Sequence, residues 1–220
     1  MVVATTSADF SRSAFGLLLI FNGVNLMLFV SNLFVGMAVF LPALNPTLVG
    51  PGLVVGLILM FLQEAFTVLG MGLCVSAPVG SGFRVIAGSA FVLMAASLIV
   101  TLGLFLPKVL KQAFGGSADD PTAAWTLALA LGTVAHVLFF AFLGRLAQRI
   151  GRPTLARWPF LLLAGAVAVL VTAAAAVLVA GEGMAMGICW IGTSLLLCGY
   201  AYYLLVLRQA VADAAEAAGR

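Results

Sequence analysis

Two residues of this 220-residue chain could handle a proton or a cation within strongly apolar surroundings. Glu64 lies at the centre of the apolar segment 53–75, and His136 lies near the middle of the segment 121–144. Polar groups at membrane depth are costly and usually face the interior of a helix bundle. If the two residues are neighbours, we expect them to exchange a proton. In the alternative interpretation, Glu64 is hydrogen-bonded to His136 or to an asparagine and helps to fix the packing of the helices.

Three asparagines form a polar stripe on the first apolar segment. Asn25 and Asn32 are seven residues apart and lie nearly above one another on a helix, with Asn22 about 60° away. A stripe of this kind is typical of hydrogen bonding between helices. Ser194 lies at the middle of the last apolar segment and can share one layer with Asn25 and the two titratable residues. The candidate intramembrane polar site therefore consists of Glu64, His136, Asn25, Asn22, Asn32 and Ser194.

The elements that must position these residues follow from the composition. The chain is 64% hydrophobic and 8% charged, with a mean hydropathy of +1.25. A soluble domain is about 45–50% apolar and about 25% charged. Ten Lys and Arg, seven Asp and Glu and one His could not cover the surface of a 22.7 kDa globule. This composition excludes a soluble enzyme or binding module, a disordered chain and a disulfide scaffold, and it predicts a membrane protein.

Prolines and charges divide the chain into six apolar segments. A helix that crosses a bilayer needs about 20 apolar residues, and the segments lack the alternation of strands in a membrane barrel. We therefore predict an all-α polytopic membrane protein, a bundle of six transmembrane helices in a single domain over residues 1–220. The prolines are expected at or between segment ends, with Pro107 ending the third span and Asp120 capping the fourth. The predicted spans are about 15–39, 53–75, 85–106, 121–144, 158–180 and 184–207, followed by a short cytoplasmic helical tail at 208–220.

Basic residues predict the orientation of the spans, because Lys and Arg are retained on the cytoplasmic side of a membrane. With the N-terminus inside, eight arginines lie on the cytoplasmic side, and only Lys108 and Lys111 lie outside. We therefore predict that both termini are cytoplasmic. The net charge of +3 then reflects this topology, and no nucleic-acid partner is expected. Tyr200, Tyr202 and Tyr203, near the inner end of the last span, are interpreted as aromatics of the membrane interface.

Four arginines make the loop after the fourth span the most basic part of the chain. Arg145, Arg149 and Arg152 share one face of a helix that continues the fourth span, and Arg157 follows them. One interpretation is a contact surface for anionic lipid headgroups or for an acidic protein partner. The other is ordinary topology-setting charge that reaches the headgroups of the bilayer.

Catalytic residues, metal ligands and cofactors are not indicated. The three cysteines form no C-x-x-C pair, so neither a zinc site nor a disulfide framework is supported. A membrane b-type haem usually needs two histidines, and a retinal Schiff base needs a lysine at membrane depth, whereas this chain has one histidine and two lysines in the predicted outer loop. Motifs of membrane proteases and phosphate-binding glycine loops are missing as well. We therefore do not expect an enzyme.

Three stretches, taken together, resemble a group of known proteins. They are GLCVSAP at 72–78, FLGRLAQRIGRP at 142–153 and YYLLVLR at 202–208. Their order and spacing are similar to those of multi-span membrane proteins of planctomycete-type bacteria, a group with no known activity, over most of the chain after about residue 53. The resemblance implies a bacterial cytoplasmic membrane. Because the matching polar stretches lie at the predicted cytoplasmic ends, it also favours a partner surface on that side.

Two functions fit these patterns. The first is a non-enzymatic membrane component that anchors or packs with a partner through its basic cytoplasmic face and its C-terminal helix. The second is a small proton- or cation-coupled transporter or channel that uses the layer around Glu64 and His136. A closed bundle with Glu64 hydrogen-bonded inside favours the first function, whereas a cavity that reaches both residues favours the second.

Overall fold

The computed structural model describes residues 7–44, 49–77, 81–113 and 120–218. Over these ranges all regular secondary structure is helical, and six helices are long and apolar enough to span a membrane. The prediction of an all-helical chain with six such helices is confirmed to that extent. The elements are α1 (Ser7–Leu44), α2 (Val49–Cys74), α3 (Ser81–Val100), a π-helical turn (Thr101–Phe105), α4 (Leu106–Ala113), α5 (Thr122–Arg149), a 3₁₀ turn (Leu155–Arg157), α6 (Trp158–Ala180) and α7 (Glu182–Ala218).

The third long helix continues past Pro107, although this proline is expected to end it. Proline lacks an N–H group, and its ring clashes with the carbonyl of residue i−4 in a regular α-helix. Here the residues Thr101–Phe105 widen into a π-helical turn, in which the N–H of Leu106 bonds to the carbonyl oxygen of Thr101. Such turns occur within long helices where the regular hydrogen-bond ladder is interrupted. Because the widened turn precedes the proline, α4 extends from it to Ala113.

Asp120 supports the beginning of α5, although the N-cap residue is Pro121 and not Asp120 as predicted. Its Oδ1 atom accepts hydrogen bonds from the backbone N–H of Thr122 at 2.9 Å and from the Thr122 hydroxyl at 2.6 Å. Thr122 is the first residue of the helix, so its N–H has no partner within the helix. Asp120 satisfies this donor from the position before Pro121.

A glycine-based cap ends α5. Gly151 adopts a φ of +74°, a left-handed conformation that glycine tolerates. Its N–H donates a hydrogen bond to the carbonyl oxygen of Gln148 at 3.1 Å, and the N–H of Arg152 donates one to the carbonyl oxygen of Ala147 at 2.9 Å. This pair of bonds defines a Schellman motif. The chain therefore turns sharply, and α6 begins at the end of the bundle where α5 finishes.

The six long helices form a ring in chain order. α1 contacts α2, α2 contacts α3, α3 contacts α5, α5 contacts α6 and α6 contacts α7, and α7 closes the ring against α1. The α1–α2, α3–α5, α6–α7 and α7–α1 interfaces are extensive, whereas the α2–α3 and α5–α6 interfaces are sparse. Two parts of the ring result: a four-helix part (α6, α7, α1 and α2) and a two-helix part (α3 and α5).

Backbone contact between two glycines holds α1 against α2. A Cβ atom placed on Gly70 would lie 2.4 Å from Cγ1 of Ile20 and 2.6 Å from the carbonyl oxygen of Gly16. One placed on Gly16 would lie 2.6 Å from the carbonyl oxygen of Gly70. No larger residue fits at these positions unless the helices move apart. Small residues allow this close van der Waals packing, which is a main source of attraction between helices in lipid.

The charged residues are sorted between the two ends of the ring. We call the end at which α1 and α3 begin and α5 finishes the arginine end, and the end that carries Lys108 and Lys111 the lysine end. Seven arginines lie at the arginine end: Arg12, Arg84, Arg145, Arg149, Arg152, Arg157 and Arg208. The buried core is also concentrated toward this end, and its largest side chains include Leu17, Met71, Phe139, Phe142 and Tyr203.

Candidate functional site

A cavity of about 500 Å³ lies at the centre of the ring. All six long helices contribute side chains to its wall. Glu64 of α2 and His136 of α5 both line it, so the two residues singled out by their chemistry share one cavity. Pockets that hold small organic ligands have volumes of about 300–1,000 Å³.

Glu64 presents an unpaired oxygen in this cavity. Its Oε2 atom is buried, and no group in the described part of the chain donates a hydrogen bond to it. In the alternative interpretation, Glu64 helps to fix the packing of the helices and is hydrogen-bonded to His136 or to an asparagine. Oε2 of Glu64 makes no such bond among the described residues. A buried acceptor without a donor costs about 1–3 kcal/mol, and more when it is charged. A bound proton or a bound cation would remove this cost.

His136 is oriented by its own helix. Its Nδ1 atom lies 2.8 Å from the carbonyl oxygen of Gly132, one turn earlier in α5. A carbonyl oxygen only accepts hydrogen bonds, so Nδ1 carries the proton of the neutral ring. Nε2 is then a hydrogen-bond acceptor. It is the ring nitrogen that can still take up a proton or accept a hydrogen bond from a group in the cavity.

Four hydroxyl groups around the cavity donate their protons to backbone carbonyl oxygens. A hydroxyl has one proton and two lone pairs, so each of these groups retains only acceptor capacity for a ligand. One of the bonds also joins α3 to α5. The four bonds run from Thr67 to Gln63 at 3.0 Å, from Ser97 to Ala128 at 2.8 Å, from Thr101 to Ser97 at 2.9 Å and from Thr133 to Leu129 at 2.8 Å.

The floor of the cavity, toward the arginine end, is apolar and aromatic. The rings of Phe140 and Tyr200 meet edge to face, with centroids 4.9 Å apart. Tyr200 belongs to the buried core, and Phe140, Leu162 and Leu197 pack against that core while also lining the cavity. The core therefore closes the cavity on this side.

The side of the cavity opens between α5 and α6, where the ring has one of its sparse interfaces. Leu129 of α5 and Leu170 of α6 both line the cavity, yet they are 57% and 66% exposed. Trp125 lines it near the lysine end and packs against Phe105, with ring centroids 5.0 Å apart. In a bilayer, this opening would face the acyl chains.

The other members of the predicted polar site lie outside the cavity. Asn22, Asn25 and Asn32 are exposed on the outer face of α1, and the amide of Asn32 donates a hydrogen bond to the carbonyl oxygen of Leu28 at 2.7 Å. The structure therefore does not place them between helices of this chain. Ser194 has a buried hydroxyl without a partner among the described residues, but its neighbour Thr193, and not Ser194 itself, lines the cavity.

Tyr200 is a site residue that the sequence interpretation assigned to the membrane interface. That interpretation is wrong for Tyr200 and Tyr203, which are 5% and 1% exposed, whereas Tyr202 is 58% exposed. The cavity-lining hydroxyls of Ser97 and Thr101 were also missed. Their spacing of four residues places them on one helix face, which was an available signal. Whether this face of α3 points toward the cavity depends on how the helices of the ring pack together.

Four titratable side chains line the cavity in the described part of the chain: Glu64 of α2, His136 of α5, and Cys189 and Tyr200 of α7. Among the described lining residues of α1, α3 and α6 there is no titratable group. Among the described residues, no three His, Cys, Asp or Glu side chains lie close enough together to hold a metal ion.

The arginine end carries a second candidate surface. Arg145, Arg149, Arg152 and Arg157 are all exposed there, and the Arg145 guanidinium lies 4.9 Å from the ring centroid of Phe83. A groove of about 640 Å³ runs between the turn after α5 and the last part of α7. Its lining residues are Arg152, Thr154, Leu155, Leu205, Val206, Gln209, Ala210 and Asp213.

Comparison of the chain with protein-family models, with curated proteins and with solved structures finds no match.

Proposed function

We propose that the protein is a polytopic integral membrane protein that moves a small solute through its central cavity, coupled to a proton or a cation. The unpaired Oε2 of Glu64, in a cavity that His136 also lines, is the main support. The hydroxyls of Ser194, Tyr200 and Tyr203 also lack a partner among the described residues, but a carboxyl group is costlier to leave buried and unpaired when it is charged. An ionisable residue at membrane depth is a functional candidate by default. The proposal needs no catalytic residue and no cofactor.

The proposed orientation places the arginine end and both termini in the cytoplasm. Seven arginines at that end, against Lys108 and Lys111 at the other, support this orientation through the retention of basic residues inside. Arg220, the eighth arginine of the prediction, lies outside the described residues. The cytoplasmic membrane of a bacterium is the location that the sequence resemblance favours.

Coupling would arise because a proton and a cationic group compete for the same carboxylate. A carboxyl group in an apolar wall is favoured as neutral when it has no partner, and as charged when a cation lies beside it. Binding of a cation at Glu64 would thus release a proton, and His136 Nε2 is an acceptor in the same cavity.

Movement between the two parts of the ring would change access to the cavity. Glu64 belongs to the four-helix part and His136 to the two-helix part, and sparse interfaces separate these parts. Rocking of one bundle against another around a central site is a common mechanism of transporters. The described conformation, closed by core at the arginine end, would be one of two access states.

Proteoliposomes that contain a pH-sensitive dye test the proposed function. Solutes of different charge are added outside, and proton movement is recorded with the membrane potential clamped by K⁺ and valinomycin. We expect at least one solute class to drive proton flux, and we expect Glu64→Gln to lower that flux at least 10-fold. Thr172→Val is the matched control, because Thr172 is an exposed polar residue of α6 that does not line the cavity.

Two results would contradict the proposed transport. One is the absence of solute-driven proton flux from the wild-type protein with every class tested. The other is a flux that Glu64→Gln leaves unchanged while the variant remains monodisperse and correctly inserted. A flux lowered equally by Thr172→Val would also count against a specific role of Glu64.

The groove at the arginine end supports a second candidate function, the anchoring of a cytoplasmic partner. It combines Arg152 with Asp213, whose Oδ1 accepts a hydrogen bond from Gln209 at 3.2 Å. A photo-crosslinking residue at position 209, compared with one at the exposed Leu178 of α6, tests this function in native membranes. A discrete adduct at position 209 alone supports anchoring, and the absence of such an adduct contradicts it.

A further inference from the structure

Several polar atoms that the cavity offers to a ligand are hydrogen-bond acceptors, while the side chains of Gln63, Trp125, Thr193 and Tyr200 add donors to the wall. Thr67, Ser97, Thr101 and Thr133 donate their protons to backbone carbonyl oxygens, and the proton on His136 Nδ1 is held by Gly132. Lone pairs of the hydroxyls, Nε2 of His136 and the unpaired Oε2 of Glu64 remain. A ligand that supplies hydrogen-bond donors can therefore pair with Oε2 of Glu64 and with these lone pairs.

Charge favours the same kind of ligand. Among the described residues that line the cavity, Glu64 carries the only carboxyl group, and Lys and Arg do not occur. The aromatic rings of Phe140, Tyr200 and Trp125 also line the cavity, and aromatic rings attract cations. A carboxylate ligand would meet the carboxyl group of Glu64, and the described lining residues include no Lys or Arg to balance the two negative charges.

Shape and access indicate that most of the ligand is apolar. Three methionines, Met27, Met60 and Met94, line the cavity among many aliphatic side chains, and methionine adapts to varied apolar shapes. The side opening at Leu129 and Leu170 leads toward the acyl chains of a surrounding bilayer. A ligand that partitions into lipid could enter by this route.

From these observations, and resting on the proposed transport function, we infer that the central cavity binds a lipophilic organic ammonium ion. The protonated amine lies against Glu64 and donates hydrogen bonds to the acceptors of the wall. The apolar body lies among the methionines and the aromatic rings. No covalent step is involved, and release of the ammonium ion is accompanied by protonation of Glu64.

Four compounds with the same apolar body test this inference. They are 3,3-diphenylpropylamine, its N,N,N-trimethylammonium derivative, 3,3-diphenylpropan-1-ol and 3,3-diphenylpropionate. Saturable binding to the full chain in nanodiscs is measured at pH 7 by equilibrium dialysis, after subtraction of binding to empty nanodiscs. We expect the amine to bind at least 10-fold more tightly than the alcohol and the carboxylate. The trimethylammonium compound, which has the charge without the N–H donors, is expected to lie between them.

Substitutions at Glu64 separate a specific site from general partitioning. Glu64→Gln is expected to weaken amine binding at least 10-fold, to the level of the alcohol, while binding of the alcohol changes less than 2-fold. Glu64→Asp keeps the charge and is expected to retain the preference for the amine, which guards against a loss of folding as the explanation. Thr172→Val is the control outside the cavity, and it should leave all four affinities unchanged.

The inference is overturned if the alcohol or the carboxylate binds as tightly as the amine, or if the preference for the amine survives Glu64→Gln. The same compounds in the proton-flux assay distinguish it from the proposed function. Glu64-dependent amine binding without any proton flux supports the ligand class and contradicts transport. Glu64-dependent flux driven by the carboxylate, and not by the amine, supports transport and contradicts the ligand class.

Discussion

The arginine end of the ring is filled with packed side chains, whereas the centre, toward the lysine end, encloses a cavity. Phe139, Phe142 and Tyr203 are fully buried near the arginine end, and α1 touches α2 there through Gly16 and Gly70. Around the cavity, equally apolar helices stand apart. Hydrophobicity therefore does not distinguish the two regions. The fit of side-chain shapes does, because association of helices in lipid depends on close packing rather than on the hydrophobic effect.

Gly70→Val is the change expected to affect this comparison most. The new side chain would overlap Ile20 and the backbone of Gly16, so α1 and α2 could not meet at the arginine end. We expect little or no monodisperse protein on size-exclusion chromatography. Gly88→Val is the control, because a Cβ at Gly88 has no atom within 4 Å. Normal yield of Gly70→Val would show that the glycine contact is dispensable.

Overpacking of the core should have a smaller effect. Ala135 of α5 is fully buried, so Ala135→Leu adds three carbons where no space exists. We expect a loss of about 1–3 kcal/mol in the free energy of unfolding, measured by reversible SDS titration. Ala130→Leu, on the exposed face of the same helix, should change it by less than about 0.5 kcal/mol. Equal effects of the two substitutions would contradict a solid core at this position.

An Ala→Leu substitution in the cavity should stabilise the protein, whereas the same change in the core destabilises it. Ala166 of α6 lines the cavity, so Ala166→Leu fills empty space instead of displacing neighbours. We expect the free energy of unfolding to rise by about 0.5–2 kcal/mol. The affinity for 3,3-diphenylpropylamine should fall at least 10-fold, because the leucine side chain occupies the space that the ligand needs. A destabilisation as large as that of Ala135→Leu would mean that the two regions are packed alike.

The smallest effect is expected at the lysine end, where Asp120 supports the beginning of α5. Hydrogen bonds from the hydroxyl and then the backbone N–H of Thr122, together with the charge of Lys108, lower the pKa of Asp120 below its ordinary value of 3.8. The stability that the carboxylate contributes is therefore fully present above pH 3.8 and is lost as the pH falls through the lowered pKa.

Asp120→Ala should accordingly lower the thermal midpoint slightly at pH 7, and the difference from wild type should shrink at pH 3. Asp213→Ala, at the arginine end, is a control for the general loss of an exposed carboxylate. If the difference in thermal midpoint between wild type and Asp120→Ala grows as the pH falls, the charged form of Asp120 does not stabilise the beginning of α5. The cavity and its ligand affinity should not respond to either substitution.

Much of the fold follows from the sequence because a long apolar run is a local property. The six helices, the helix-start signal at Asp120 and the sorting of arginines to one end can all be read along the chain. Pro107 shows where a local rule fails. Proline usually ends a helix, but the π-helical turn Thr101–Phe105 absorbs its missing hydrogen bond, and the helix continues.

The candidate site was only partly predictable, for a different reason. Glu64 and His136 stand out because ionisable residues are rare in apolar segments. The direction in which the polar residues point is not a local property. Asn25 lies on the outer face of α1, whereas Tyr200, predicted to lie at the interface, lines the cavity.

The sequence by itself determined that this chain forms six apolar helices, which end carries the arginines, and which two titratable residues are unusual at membrane depth. Only the tertiary structure decided that Glu64 and His136 share a cavity, that the asparagines face outward and that the arginine end is solid. A helix that is apolar on every side has no hydrophobic stripe to mark its inward face. Which side of each helix faces inward is therefore determined by glycine contacts and by the fit of side chains between helices that are distant in sequence.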